Sequence, residues 1–583
     1  MGRDMNSQYD LIIRGGKVFD GRGGAGMIAD VAVKGGKIAK VGQVPETASE
    51  EIDATGKIVT PGFVDIHTHY DGQVTWSNRL SPSSAHGVTT VVMGNCGVGF
   101  APCRPDDHDM LIRLMEGVED IPAVVLNEGL KWDWETLPEF LNNLDGKSYD
   151  MDFAAQVTHA PLRVYVMGQR GADREEASDA DIAEMARLAK EGVEAGALGF
   201  TTSRTINHRT SDGQPTPTLT AADKELIGIS NALGEAGKGV LQLVSDFSDP
   251  AAEISLMRAM MKQSGRPLSV SLAQHDKAPH TYRKILSALD QANADGMSMR
   301  AQVCGRAVGI VMGLETTLNP VVTSATFNAI MVDSAVNGLE SLNDKYVRQT
   351  IIEEVESAST PVSRMISSYD KMFVLGNPPQ YEQSPDLTIA AIANANGVHP
   401  IHVCIDGMLA EEGKGILYMA FLNYANGDLE PSYEMIKHPH TVMGLADGGA
   451  HVGLICDASF PTSMLTHWTR DRTRGEKLSI EFAVKCYTKD SAEAVGLFDR
   501  GVLAEGYKAD INIIDYEKLS LHSPTVVFDL PAGGKRLNQL ADGYAATIVN
   551  GLVTYQHGQP TGALPGRLIR GAKNAPAEFA AKI

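Results

Sequence analysis

Basic residues are in deficit in this chain: 51 Lys and Arg stand against 72 Asp and Glu, for a net charge of -21. No cluster of Lys and Arg relieves the deficit, and phosphate binding needs such clusters, which argues against nucleic acid or an anionic membrane as partner. Long apolar runs are missing too: none could span a bilayer, and the opening Met1-Gly2-Arg3-Asp4-Met5-Asn6 has no apolar segment of the kind that directs export. Cysteine is scarce. Cys96, Cys103, Cys304, Cys404, Cys456 and Cys486 are scattered through 583 residues, so they make no disulfide framework and most should be buried free thiols. These absences leave a cytoplasmic chain that acts on a small molecule, with a homo-oligomer open. With 43% hydrophobic residues it can bury a large core, as one big domain and a small one.

Short apolar-polar runs at 9–20, 30–41 and 51–59, punctuated by Gly-Gly, read as hairpins of a small antiparallel sheet. The same texture returns at 509–515 and 546–555, so both chain ends should pair into one β domain. Between them, strand-like runs alternate with helical ones. After the run that opens at Pro61 come 88–93, 152–158, 196–202, 240–244, 268–273, 298–303 and 441–446, eight in all. Ser178 to Asp181 forms a capping-box signal, after which Ile182, Met185, Ala189 and Val193 recur at helical spacing. A βα unit repeated eight times predicts an α/β fold, a (β/α)8 TIM barrel whose site gathers at the C-terminal strand ends, with a small β-sandwich domain built from both termini. The expected division is 1–60 and 496–558 for the β domain, 61–495 for the barrel and 559–583 for a tail. The stretch 305–440 is too long for one βα connection and should hold inserted helices that cap the mouth.

The chemistry concentrates at the strand ends. In Pro61-Gly62-Phe63-Val64-Asp65-Ile66-His67-Thr68-His69, alternation along a strand puts both imidazoles on one face, where they can close on one ion such as zinc. A lone H-x-H would be an ordinary polar pair leaving a strand. Here the second run ends in Gly94-Asn95-Cys96-Gly97, which sets Cys96 apart from the other cysteines as a candidate thiolate ligand. The eighth ends in Asp447-Gly448-Gly449, offering a carboxylate that can ligate metal and accept the proton of an attacking water, though Asp-Gly is also a common turn. His159 ends the third run, and Gln274-His275-Asp276-Lys277 the sixth; either end could reach the ion.

The frame as a whole resembles the amidohydrolase superfamily. Gly94-Asn95-Cys96-Gly97, Trp132-Asp133-Trp134, the L-R-x-x-V-M-G run from Leu162 and the G-A-L-G-F run from Gly196 resemble its N-acyl-D-amino-acid deacylase (D-aminoacylase) branch. The resemblance implies that His67 and His69 ligate one metal, that Cys96 takes the bridging position and that Asp447 is the catalytic carboxylate. It also implies a histidine ending the fifth strand, absent from Val240-Leu241-Gln242-Leu243-Val244-Ser245-Asp246, and one ending the sixth, for which His275 is preferred over Gln274. The branch's H-P-R after the catalytic Asp is replaced by Gly448-Gly449-Ala450-His451, so Lys277, Arg163 and His159 are left as candidate substrate-binding residues.

The expected activity is zinc-dependent hydrolysis of a non-peptide carbon–nitrogen bond, with one or two ions, in the manner of an N-acyl-D-amino-acid deacylase. A bulkier or cyclic amide, such as a xenobiotic, is the alternative that the missing H-P-R favours. A non-catalytic scaffold is the third reading, against which stand His67, His69, Cys96 and Asp447 together.

Overall fold

At the N-terminal end, Gly35 and Gly36 carry φ of 57° and 74°, which a two-residue hairpin turn requires, and they join strands Met27–Lys34 and Lys37–Gly42. In the computed structural model, which describes residues 8–332 and 338–577, these strands belong to a nine-stranded sheet. Strand Ile511–Ile514 enters that sheet from the other end of the chain and pairs antiparallel with Ile58–Pro61, so the two termini do share one sheet. The sheet is mixed: Tyr9–Val18 pairs antiparallel with Met27–Lys34 but parallel with both Ala48–Asp53 and Ile58–Pro61. Its apolar face packs Leu11, Ile13, Val31, Val59, Ile511 and Ile548 into one cluster.

All eight expected central strands are present, and all are parallel: Phe63–Asp65, Val88–Met93, Asp152–Ala155 continued by Val157–Thr158, Gly199–Arg204, Val240–Ser245, Leu268–Leu272, Met299–Val303 and Thr441–Met443. They form two ladders, one over the first three strands and one running from Val157–Thr158 to the eighth. Burial on both faces explains why they read as continuous apolar runs. Helices intervene, among them Asp179–Ala195, whose Ser178 and Asp181 close the expected capping box and whose buried side includes Met185, Ala189 and Val193.

Residues 305–440 carry the expected helices, including Lys345–Ser357 and Pro400–Gly413, but also a three-stranded antiparallel sheet of Val308–Met312, Met372–Val374 and Leu417–Leu422, which the alternation did not suggest. The far C-terminal segment is no loose tail over its described part. Ile569 donates to the Phe153 carbonyl at 2.7 Å, and Leu568 and Ile569 are buried against the third strand. All six cysteines are buried and free. Among the described residues, no helix is long and apolar enough to cross a membrane.

Candidate metal centre

Beyond Asp65 the first strand stays extended, and its extension is gripped from both sides. The Thr68 N–H donates to the Val92 carbonyl at 3.1 Å, His69 N–H to the Gly448 carbonyl at 2.8 Å and Asp447 N–H to the His67 carbonyl at 3.2 Å. Thr68 therefore faces away while His67 and His69 share a side, their ring centroids 5.5 Å apart. Cys96 and Asp447 both lie just past a strand in the left-handed region, at φ 55° and 49°. That conformation is rare for residues with a Cβ and is retained where surrounding contacts over-determine it. Here it turns both side chains in toward the imidazoles.

The result is a tight donor cluster. His67 Nε2 lies 3.4 Å from Cys96 Sγ and 3.5 Å from Asp447 Oδ1, and His69 Nε2 lies 3.6 Å from the same oxygen. One ligand atom each from His67, His69 and Cys96 fits within 4.8 Å. His69 Nε2 and Asp447 Oδ1 are both buried without an aligned hydrogen-bond partner, a costly arrangement that a cation between them would relieve.

Behind the donors sit groups that fix the rings. His67 Nδ1 is 2.6 Å from Gln302 Oε1, and Gln302 Nε2 in turn donates to Ser269 Oγ at 3.0 Å. Nδ1–H therefore donates to the amide, and the Nε2 lone pair is left for an ion. His69 Nδ1 lies 3.2 Å from Glu119 Oε1, giving the carboxylate–histidine pairing typical of a ligand's far side. Glu119 ends the helix His108–Glu119 and also accepts, at its carbonyl, from the His451 N–H.

The electrostatics of the cluster suit a cation. Burial lowers His67 to about 4 and lowers His69 as well, which keeps both imidazoles in the neutral form that binds metal. Burial, then the charges of Glu119, Asp447 and Asp71, drive the Cys96 thiol well above its ordinary range. Glu119 is likewise raised by burial and by Asp447 and Asp71. A cavity that gathers three carboxylates and a thiol around two neutral imidazoles suits a divalent cation, whose charge would oppose the upward shifts of Cys96 and Glu119 and keep the imidazoles neutral.

The other expected site residues are placed elsewhere. His275 is exposed, and its backbone bridges to Ala278 and Leu422, so it is not brought to the cluster as a ligand. Gln274 is buried, but its amide is taken up by the Ala425 N–H at 3.1 Å and the Pro279 carbonyl at 3.3 Å. The insertion draws this strand end away: Asn423 Oδ1 accepts the Gln274 N–H at 2.6 Å. Lys277 is exposed on the same turn. His159 and Arg163 are buried in an internal network, with Glu225 Oε1 2.9 Å from His159 Nε2 and 2.9 Å from Arg163 Nε, so neither offers a free group to a substrate. Gln242 occupies the fifth strand beside His67, its Nε2 3.4 Å from Nδ1. Glu119, Gln302 and His451 escaped the sequence reading. Glu119 and Gln302 sit in no motif, and His451 had only its nearness to Asp447 to mark it.

Parallel strands thus bring two imidazoles, a thiol and a carboxylate together as a donor set that could hold a metal ion. The chain belongs to the Amidohydrolase family, whose model matches residues 50–555. It is 27% identical to an N-acyl-D-aspartate deacylase of Alcaligenes xylosoxydans xylosoxydans over 97% of this chain and 96% of that one. An N-acyl-D-glutamate deacylase of the same organism is 26% identical over 97% of each chain. The solved structure of a D-aminoacylase with a binuclear metal centre superimposes with a TM-score of 0.65 at 23% identity, covering 97% of this chain and all of that one, a likeness of fold.

Proposed function

We propose that this chain hydrolyses the amide bond of N-acyl-D-amino acids or a closely related amide, using one divalent ion, zinc by its donor set, held by His67, His69, Cys96 and Asp447. The observation that carries the reading is the meeting of those four side chains within ligand reach. The fold supports it: a bridge between Thr68 and Gly448 joins the first strand's extension to the eighth's, in keeping with a (β/α)8 barrel closed at this centre. A single ion is the better count, because the fifth strand Val240–Ser245 carries no histidine and both Gln274 and His275 are turned away. Unpaired thiols are in keeping with a cytoplasmic protein.

A bound cation supplies the Lewis acidity that lowers the pKa of water and polarises a carbonyl. The chain's residues do the rest. Asp447 accepts the proton of the attacking water and returns it to the departing amine nitrogen. Gln302 and Glu119 hold the two imidazoles by their far nitrogens, so the donor geometry does not have to be organised during the reaction. His67, His69 and Cys96 are buried, where charges are screened little by bulk water.

A bulkier or cyclic amide is a second reading, favoured by the lack of an arginine directly after Asp447 in the sequence, where Gly448-Gly449-Ala450-His451 follows instead. The test is a substrate panel on zinc-loaded protein: acetate release from N-acetyl-D-methionine and its L-enantiomer beside amine release from aryl and cyclic amides. D-selective deacylation supports the first reading; cleavage confined to bulky amides supports the second; inert metal-loaded protein contradicts both.

A further inference from the structure

Cys96 is carried by the buried turn Gly94-Asn95-Cys96-Gly97, and the two ends of that turn meet at one side chain. Thr201, fully buried in the fourth strand Gly199–Arg204, donates its hydroxyl hydrogen to the Gly94 carbonyl at 2.6 Å. The same oxygen accepts the Gly97 N–H at 3.2 Å. That N–H belongs to the peptide unit that follows Cys96, so the bond fixes the direction in which the backbone leaves the cysteine. Only a group that donates and accepts at once can span the two, and a hydroxyl does both.

The sheet explains why Thr201 reaches this turn. It pairs in register with Thr158 on one side and with Gln242 on the other, and Gln242 Nε2 lies 3.4 Å from His67 Nδ1. Thr201 therefore shares the face of the sheet that looks toward the imidazoles, while Thr202, on the opposite face, is bonded to His159 Nδ1 at 2.8 Å. Other partners hold the turn at single points. The Gly94 N–H donates to Asp71 Oδ2 at 3.1 Å, Asn95 Nδ2 donates to the Val92 and Thr68 carbonyls at 2.8 and 3.1 Å, and the Gly97 carbonyl accepts the Ala160 N–H at 2.9 Å. Of these partners, Thr201 alone bonds to both sides of Cys96. The cysteine needs that support, because at φ 55° it sits in a conformation that persists only where its surroundings over-determine it.

We propose that Thr201 is a positioning residue for the metal centre, whose hydroxyl clamps the turn so that Cys96 Sγ is held beside His67 Nε2, 3.4 Å away, as a ligand. The assignment rests on the reading of Cys96 as a metal ligand proposed above. It gives the G-A-L-G-F run from Gly196 a role in the site, because that run leads directly into Thr201. Without the hydroxyl, the Gly94 carbonyl and the Gly97 N–H are left buried and unpaired, a costly state. Relieving it means re-orienting the peptide after Cys96, which turns the thiol off its line to the imidazoles.

Cobalt(II) loaded in place of zinc makes a bound thiolate visible through its thiolate-to-metal charge-transfer absorption. Wild type, Thr201→Val, Thr201→Ser and Thr202→Val are compared for that absorption, for zinc affinity by competition with a chromophoric chelator, and for the melting temperature of the metal-free chain. Thr201→Val keeps the shape of the side chain and is expected to lose most of the absorption and to bind zinc about 10- to 100-fold more weakly, the usual cost of losing a group that orients a ligand. Thr201→Ser, which restores the hydroxyl, is expected to recover both. Thr202→Val loses a buried hydrogen bond from the same strand and is expected to keep the wild-type absorption and affinity, whatever it does to the melting temperature. Where Thr201→Val does not fold, Thr201→Ala removes the same hydroxyl from a smaller side chain and is read in its place. Wild-type absorption and affinity without the Thr201 hydroxyl would overturn the assignment, as would equal losses in Thr202→Val, and either leaves Cys96 a ligand. A wild type that binds cobalt with no charge-transfer absorption would overturn the ligand reading of Cys96, and this assignment with it.

Discussion

Glu119 Oε1 lies 3.2 Å from Nδ1 of His69, while the other nitrogen of the same ring lies 3.6 Å from Asp447 Oδ1. One imidazole thus links a buried carboxylate outside the donor cluster to one inside it. The arrangement explains why a helix ending at Glu119 is packed under the centre, with the His451 N–H closing on its last carbonyl.

Glu119→Gln keeps size and burial but removes the charge behind His69. Zinc affinity should fall by about 10- to 100-fold, the usual cost of losing such a partner, with little change in melting temperature of the loaded protein. Competition with a chromophoric chelator measures it; unchanged affinity would show that Glu119 only caps the helix.

Cys96→Ala should lose metal and activity while the fold survives, because Cys96 Sγ lies 3.4 Å from His67 Nε2. Cys486→Ala, in the helical segment Cys486–Asp490 among core residues, should keep its metal. Elemental analysis of both separates a ligand from a packed thiol, and equal metal contents would return Cys96 to the core.

Asp447→Asn keeps the shape of the side chain but removes the proton acceptor. Turnover should drop at least about 100-fold while zinc is still bound. Wild-type turnover by the zinc-loaded Asn variant would assign the base elsewhere.

A pH effect on stability is expected far from the metal. Burial works to raise Glu382, but hydrogen bonds from His467 and Arg472, with Arg472 Nε 3.0 Å away, hold it at about 2 against an ordinary 4.5. A depressed carboxylate contributes its stability above the unfolded value and loses it as pH falls through the folded one. About 3 kcal/mol should therefore disappear between pH 4.5 and pH 2. Urea titrations across that window should show this part of the loss in wild type and not in Glu382→Gln.

The eight parallel strands were legible because burial on both faces makes each an apolar run bounded by turn residues. The meeting of His67, His69, Cys96 and Asp447 was legible because each stands at or just past such a run. Other residues depended on tertiary packing. Glu119 ends an amphipathic helix and looks like any solvated acid until the loop holding His451 packs on it. His275 was misplaced because Asn423, roughly 150 residues later in sequence, captures the backbone beside it and turns the strand end into the insertion. His159 and Arg163 were misplaced because their partner Glu225 lies on a helix more than 60 residues away, a pairing no local pattern announces. The small sheet in 305–440 was missed because its strands are separated by helices and pair only in space.

The proposed hydrolysis requires that His67, His69, Cys96 and Asp447 together hold one catalytic divalent ion. Metal content per folded chain, measured by elemental analysis alongside amide hydrolysis before and after chelation and zinc re-addition, tests it most directly. Close to one zinc-class ion per chain is expected, with activity lost on chelation and restored by zinc. A folded chain with no stoichiometric metal, or hydrolysis that survives complete removal of the ion, would contradict it.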